Sequence, residues 1–136
     1  MDWKILHILV IDDEIFVQKL IERILKEIGI GMVSLAEHGA KAIEMLNETT
    51  DPPDIILCDL EMPEMNGFRF VASLRSSKNP DLCNIPVVIV TGHNDENTIA
   101  TASKFKINGF VVKPMSKATL SQRLESALKS VMEDTL

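Results

Sequence analysis

The sequence predicts an α/β fold in which five βα units build an open, doubly wound parallel sheet with helices on both faces. Short runs rich in β-branched residues alternate along the chain with longer segments whose apolar residues recur at helical spacing. Parallel strands need long crossover connections, and the helical segments can supply them. With 136 residues, 46% of them hydrophobic, the chain is large enough for one core and too short for an eight-fold barrel. We therefore expect residues 1–136 to form a single domain.

Five short runs rich in β-branched residues are predicted to be strands buried on both faces, because a half-exposed strand would alternate apolar and polar residues. In chain order they span residues 5–11, 32–36, 54–58, 86–91 and 109–112. The polar stretch 76–86 is read as a loop between a helix and a strand, since the apolar pattern resumes directly after it.

The first helix has the clearest apolar stripe, and its members recur every four residues. They are Phe16, Leu20, Ile24 and Ile28, with Val17, Ile21 and Leu25 widening the stripe. Gly29 stands where a C-terminal cap is expected. Weaker stripes predict four more helices near residues 42–46, 68–74, 99–105 and 120–131, the last with Ser116 as its N-cap.

Charge and cysteine content narrow the function classes. The chain has 14 basic and 20 acidic side chains, and its net charge of −6 argues against direct nucleic-acid binding. Cys58 and Cys83 match no CxxC or zinc spacing, which favours a reducing cytoplasm. The amino terminus lacks the pattern of a signal peptide, and no apolar run is long enough to insert into a membrane.

Chemically active side chains follow the predicted strands. Asp12 and Asp13 follow the first, Asp59 the third, Thr91 the fourth and Lys113 the fifth. Because the carboxyl ends of parallel strands share one edge, these side chains should meet there. Carboxylates about 4 Å apart repel by roughly 4 kcal/mol at an effective dielectric near 20, so a cation is needed. Their hard oxygens suit Mg²⁺, which leaves positions open for phosphate.

This set of groups predicts phosphoryl transfer. Asp59 can act as the nucleophile and become an acyl phosphate. Lys113 and Thr91 are donors of the kind that bind phosphoryl oxygens.

Four sequence motifs carry a resemblance to a known family. They are VIDDE at 10–14, Asp59 followed by MPEMNG at 62–67, VTG at 90–92 and GFVVKP at 109–114. Together they resemble the receiver domain of two-component response regulators, in its chemotaxis-type single-domain form. The resemblance implies a flavodoxin-like fold with strand order 2-1-3-4-5. It also implies a signalling switch with no output domain in this chain.

The resemblance assigns roles to individual residues. Asp59 would take a phosphoryl group from a sensor histidine kinase or a phosphotransfer histidine. Asp13 and Asp59 would bind Mg²⁺ directly, Asp12 through a water, and Glu61 through its backbone carbonyl. Thr91 and Lys113 would contact the phosphoryl group, with help from the backbone N–H groups of residues 61 and 92.

The resemblance also implies how the signal is passed on. Thr91 and Phe110 would form the switch, and the Lys113-Pro114 bond would be cis. Partner binding would change on the face made by the fourth helix, fifth strand and fifth helix, where a downstream effector protein or output domain would dock. Glu61 and His93 stand two residues beyond Asp59 and Thr91, so we expect them to set the phosphate lifetime. Such a chain is not an enzyme beyond its own phosphorylation and autodephosphorylation.

Two other functional classes remain in competition. A phosphatase with an aspartyl nucleophile would need a DxD pair after the first strand and a cap, whereas Asp12 and Asp13 are adjacent. A receiver that works as a binding module without phosphorylation usually lacks one of the site acids or the lysine. This chain has all of the acids and the lysine. Reaction with a small phosphodonor distinguishes the three classes.

Overall fold

The computed structural model describes residues 2–92 and 96–135. A 3₁₀ helix at Trp3–Ile5 comes first. The strands are β1 (His7–Ile11), β2 (Met32–Ala36), β3 (Ile55–Asp59), β4 (Val87–Thr91) and β5 (Gly109–Val112). The helices are α1 (Ile15–Ile28), α2 (Gly39–Glu48), α3 (Gly67–Arg75), α4 (Glu96–Lys104) and α5 (Lys117–Thr135). The predicted alternation of five βα units is confirmed.

The five strands form one parallel sheet in the order β2-β1-β3-β4-β5. This order confirms the doubly wound class and the arrangement that the resemblance implies. The chain places β2 on one side of β1 and β3 on the other, so the direction in which strands are added changes between β1 and β3. The carboxyl ends of β1 and β3 lie side by side at this switch point, where ligands bind in folds of this class. Asp12 and Asp59 therefore reach the same place from sequence positions far apart.

Both faces of the sheet are covered. One cluster of buried residues joins the sheet to α2 and α3, and its largest fully buried side chain is Phe70. The other joins it to α1 and α5 through Ile21, Leu25, Leu120 and Leu124. Burial on both faces explains why the central strands β1, β3 and β4 are apolar runs. The prediction of full burial is wrong for β2 and β5, which are partly exposed because each lies at an edge of the sheet.

The predicted core stripe of α1 is partly wrong. Phe16 is 81% exposed and Leu20 is 41% exposed, whereas Ile21 and Leu25 are fully buried. A helix turns 100° per residue, so a four-residue repeat advances 40° at each step and leaves one face along the helix. The structure buries the neighbouring stripe, and Ile24 and Ile28 pack at its margin.

The first strand begins two residues later than predicted. Ile5 belongs to the 3₁₀ helix and is 76% exposed, so β1 starts at His7. The Asp2 carboxylate caps this turn by accepting a hydrogen bond from the Lys4 backbone N–H at 3.3 Å. A Cβ at Gly31 would stand 1.9 Å from the Lys4 carbonyl oxygen, so only glycine lets the turn pack there.

Helix ends and loops follow from local chemistry. Gly29 adopts φ 111° at the C-cap of α1, and the Ser116 hydroxyl accepts a hydrogen bond from the Thr119 N–H, as both patterns predict. The Arg75 guanidinium holds the loop after α3 by donating to the carbonyls of Cys83 and Ile85, at 3.1 and 2.7 Å.

In the part of the chain that the structure describes, no helix is long and apolar enough to cross a membrane.

Candidate functional site

Four of the predicted site residues meet at the carboxyl edge of the sheet. Asp12 directly follows β1, Asp59 ends β3 and Thr91 ends β4. All three polar side chains are almost fully buried among the apolar strands. Lys113 reaches them from the end of β5, since its backbone N–H donates to the Thr91 carbonyl at 2.8 Å.

Lys113 connects the two buried carboxylates. Its Nζ lies 3.4 Å from Asp12 Oδ2 and 3.3 Å from Asp59 Oδ1, and the side chain is 24% exposed. The Lys113-Pro114 peptide bond is cis, as the resemblance implies. A single ammonium thus compensates two acidic groups that apolar strands bring together.

The pKa of Asp59 is raised to about 6, first because burial disfavours the carboxylate and second because Asp12 is close. Lys113 and the Glu61 backbone N–H, which both bond to the carboxylate, lower this pKa. Burial acts to lower the pKa of Lys113, but the charges of Asp12 and Asp59 outweigh it and raise that pKa. Asp59 therefore remains mainly ionised at neutral pH, and Lys113 stays charged.

An acidic group of the described residues is suited to a hard cation. Ligand oxygens of Asp12, Asp13 and Glu14 all lie within 4.8 Å of one another, with Asp12 buried and the other two exposed. Such oxygens are the ligands that Mg²⁺ prefers, and their exposure leaves room for bound water. Asp59 is outside this group and faces it across Lys113.

The loop after β3 holds Asp59 in place. The Leu60 N–H donates to the Val90 carbonyl at 3.2 Å, and the Gly67 N–H donates to the Leu60 carbonyl at 2.8 Å. A Cβ at Gly67 would lie 2.7 Å from the Asp59 carbonyl oxygen, so glycine is needed for the close approach of α3. The neighbouring Cys58 thiol is fully buried and its pKa is raised by that burial, which keeps it protonated and unreactive.

The remaining predicted residues lie around this centre. Glu61 is exposed, and its backbone N–H bonds to the Asp59 carboxylate. Phe110 is partly buried and packs against the α2 and α3 side of the core. His93 lies outside the described residues.

Gln18 was not predicted as a site residue. It is 7% exposed, and its amide Nε2 donates to the Asp12 carbonyl at 2.7 Å and to the Ala36 carbonyl at 3.0 Å. A polar residue among the apolar positions of the first helix was the only signal in the sequence. Its partners are backbone atoms, which leave no mark in the residue pattern.

Known proteins are similar to this chain in sequence and in fold. The model of the response regulator receiver domain family matches residues 8–125. A chemotaxis protein CheY homolog of Campylobacter jejuni is 32% identical over 123 residues, covering 90% of this chain and 92% of that protein. Chemotaxis protein CheY1 of Helicobacter pylori is 32% identical, with coverage of 90% and 97%. The solved chemotaxis protein CheY4 of Vibrio cholerae has a TM-score of 0.81 at 25% identity, with coverage of 90% and 98%.

These matches agree with the geometry. Relatives at this identity cover nearly all of the chain, and the acidic residues 12, 13 and 59 stand where a phosphoryl-accepting site requires them. Members of this family are signalling switches rather than classical enzymes. The chain therefore belongs to the response regulator receiver domain family, as a chemotaxis-type receiver that accepts a phosphoryl group in signalling.

Proposed function

We propose that Asp59 is the phosphoacceptor of this receiver and that a phosphohistidine on a sensor kinase or phosphotransfer protein is its donor. The observation that carries the proposal is the buried Asp59 carboxylate, which bonds to the Lys113 ammonium beside a second buried acid, Asp12. A buried acidic pair that shares one cation is costly to the stability of the fold, and such perturbed groups cluster at functional sites.

The transfer uses these side chains directly. One Asp59 oxygen attacks phosphorus while the phosphorus–nitrogen bond to the donor histidine breaks, and the electron pair returns to the imidazole, which binds a proton. Lys113 and Thr91 donate hydrogen bonds to the phosphoryl oxygens as charge shifts. The product is an acyl phosphate on Asp59.

We propose that Mg²⁺ is the cofactor. Asp12, Asp13 and Asp59, with the Glu61 carbonyl, are the residues that would hold it, and the exposed Glu14 carboxylate adds to the acidic group. Bound there, the ion would offset the repulsion between the Asp59 carboxylate and the incoming phosphoryl group. The hard oxygen donors of this edge fit such an ion.

Phosphorylation of Asp59 would be signalled to partner proteins by movements of Thr91 and Phe110. A phosphoryl group on Asp59 attracts the Thr91 hydroxyl, and space vacated by that movement lets the Phe110 ring turn inward. Phe110 and the 39% exposed Val112 both lie on β5, which connects the site to the proposed partner face. A downstream effector or output domain would distinguish the two arrangements there.

The test is incubation of the full chain with a small phosphodonor and Mg²⁺, followed by intact mass measurement. A receiver takes up one phosphoryl group and releases it slowly. Repeated turnover of donor would instead indicate a phosphatase, and an unmodified chain would indicate a passive binding module.

An exposed apolar patch beside the site supports a protein donor. Ile15 and Phe16 are 69% and 81% exposed on the first turn of α1, and Leu20 lies one turn further. Clustered exposed apolar side chains mark protein contact surfaces. We propose that the phosphodonor protein docks on this patch.

Phe16→Ser should slow phosphorylation by the partner's phosphohistidine about tenfold or more, because hot-spot aromatic residues contribute roughly 2 kcal/mol or more to docking. Its rate with a small phosphodonor should stay within about twofold of wild type, since the Phe16 side chain is 81% exposed and is not one of the proposed site residues. Equal loss with both donors would contradict the docking role, and Lys26→Ser, exposed on a different face of α1, is the matched control.

Glu61 and His93 are proposed to set the phosphate lifetime because they stand two residues beyond Asp59 and Thr91 in the sequence. Glu61→Ala and His93→Ala should each change the dephosphorylation rate about threefold or more, because side chains there can guide or block the attacking water. The measurement is loss of phosphoryl mass with time after donor removal. Unchanged decay in both variants would count against the proposal.

We further propose a cytoplasmic place of action and a single receiver domain over residues 1–136. Cys58 and Cys83 are both free, which is usual in a reducing compartment.

A further inference from the structure

We infer that Gln18 is a positioning residue for the Mg²⁺ site, acting through the backbone of Asp12. The inference rests on the proposed function, since it concerns the same acidic edge. Gln18 lies one turn into α1 and its side chain is almost fully buried at 7% exposure. A long polar side chain is rarely buried unless hydrogen bonds satisfy it.

The Gln18 amide replaces a strand partner that the sheet does not supply. The β1–β2 ladder ends with Ile11 opposite Ala36, and the Asp12 N–H makes the last bond, to the Ala36 carbonyl at 3.1 Å. The Asp12 carbonyl comes after this bond, in a fully buried residue. Gln18 Nε2 donates to this carbonyl at 2.7 Å and to that of Ala36 at 3.0 Å.

Further hydrogen bonds join the acidic turn, residues 12–14, to the first turn of α1. The Glu14 N–H donates to Asp12 Oδ1 at 2.9 Å, and the Gln18 N–H donates to the Glu14 carbonyl at 3.0 Å. With the Gln18 side chain on the Asp12 carbonyl, both ends of the turn from residue 12 to residue 14 are fixed to α1. This turn carries three acidic side chains whose oxygens lie within 4.8 Å of one another.

Holding the turn has a consequence for cation binding. Three carboxylates at this separation repel, so a turn without its anchor would open and move them apart. Gln18 keeps them together before any cation arrives, which lowers the cost of assembling the site on binding. Gln18 acts through the backbone of Asp12 and is not a catalytic residue.

Gln18→Met removes both donors while keeping the length and volume of the side chain. We expect its dissociation constant for Mg²⁺, measured by calorimetry, to rise roughly 10- to 100-fold, the usual effect of losing a residue that orients metal ligands. At saturating Mg²⁺ the phosphorylation rate with a small phosphodonor should return to within about threefold of wild type. Leu25→Ala, buried on the same helix away from the turn, should lose stability but keep wild-type Mg²⁺ affinity.

A second variant covers the case in which Gln18→Met does not fold. Gln18→Asn keeps the amide but shortens its reach, so it should weaken Mg²⁺ binding by a smaller factor than Gln18→Met. A folded variant at position 18 with Mg²⁺ affinity within twofold of wild type would overturn the role of Gln18 and leave the proposed function intact. A wild-type chain that binds no Mg²⁺ would instead contradict the proposed function and this role together.

Discussion

Asp59→Asn is expected to abolish phosphorylation and to make the folded chain more stable at neutral pH. The amide has no nucleophilic carboxylate oxygen, so no acyl phosphate can form. The amide also carries no charge, which removes first the cost of burying a carboxylate and second its repulsion with Asp12. Without Mg²⁺, we expect the free energy of unfolding at pH 7.5 to rise by about 1–3 kcal/mol, since one pKa unit corresponds to roughly 1.4 kcal/mol and partial solvation reduces the effect.

The pH dependence of this gain follows from the pKa of Asp59, which rises from 3.8 to about 6 on folding, mainly through burial. Between these values the folded state binds more protons than the unfolded state, so this group makes the protein less stable as pH rises from about 4 to 6. The advantage of Asp59→Asn should therefore be near zero at pH 4 and complete above pH 7. Urea unfolding across this range measures it.

Asp51→Asn is the matched control, because Asp51 is exposed and outside the site. Its free energy of unfolding should stay within about 0.5 kcal/mol of wild type at every pH. An Asp59→Asn variant no more stable than wild type at pH 7.5 would contradict the electrostatic account of the site.

Lys113→Met should slow phosphorylation by a small phosphodonor about 100- to 1,000-fold, the usual loss when one donor to the transferring group is removed. It should also lower the free energy of unfolding by about 1–3 kcal/mol at pH 7.5 without Mg²⁺, because Asp12 and Asp59 lose their shared cation. The charges of these acids raise the pKa of Lys113 against the effect of burial, so its stabilising contribution is complete at neutral pH and lost only as pH rises above 10.5.

Mg²⁺ gives this prediction a second readout. The ion should restore more stability to Lys113→Met than to wild type, because it replaces missing positive charge beside two acids. Lys41→Met, which removes an exposed lysine paired with Glu44, is the control and should change neither rate nor stability. A Lys113→Met variant phosphorylated at the wild-type rate would contradict the proposed contact with the phosphoryl group.

The sheet and the site residues were predictable because the point where each strand ends can be recognised in the sequence. Apolar runs mark the strands, and in a parallel sheet the residues after them share an edge, so Asp12, Asp59 and Thr91 had to meet. Strand order came from the resemblance, since periodicity alone does not order strands.

The core face of α1 and the role of Gln18 could not be predicted in this way. The helix offers two overlapping apolar stripes, and only packing against β1 and α5 selects Ile21 and Leu25 over Phe16 and Leu20. Gln18 bonds to carbonyl groups that every residue type carries, so no pairing of side chains points to it.

The most direct test of the account is to locate the phosphoryl group. The chain is phosphorylated with a small phosphodonor and Mg²⁺, reduced with borohydride so that an aspartyl phosphate becomes homoserine, and mapped by peptide mass spectrometry. We predict homoserine at position 59 in wild type and none anywhere in Asp59→Asn. Homoserine at Asp12 or Asp13 with Asp59 unchanged, or full phosphorylation of Asp59→Asn, would contradict the central claim.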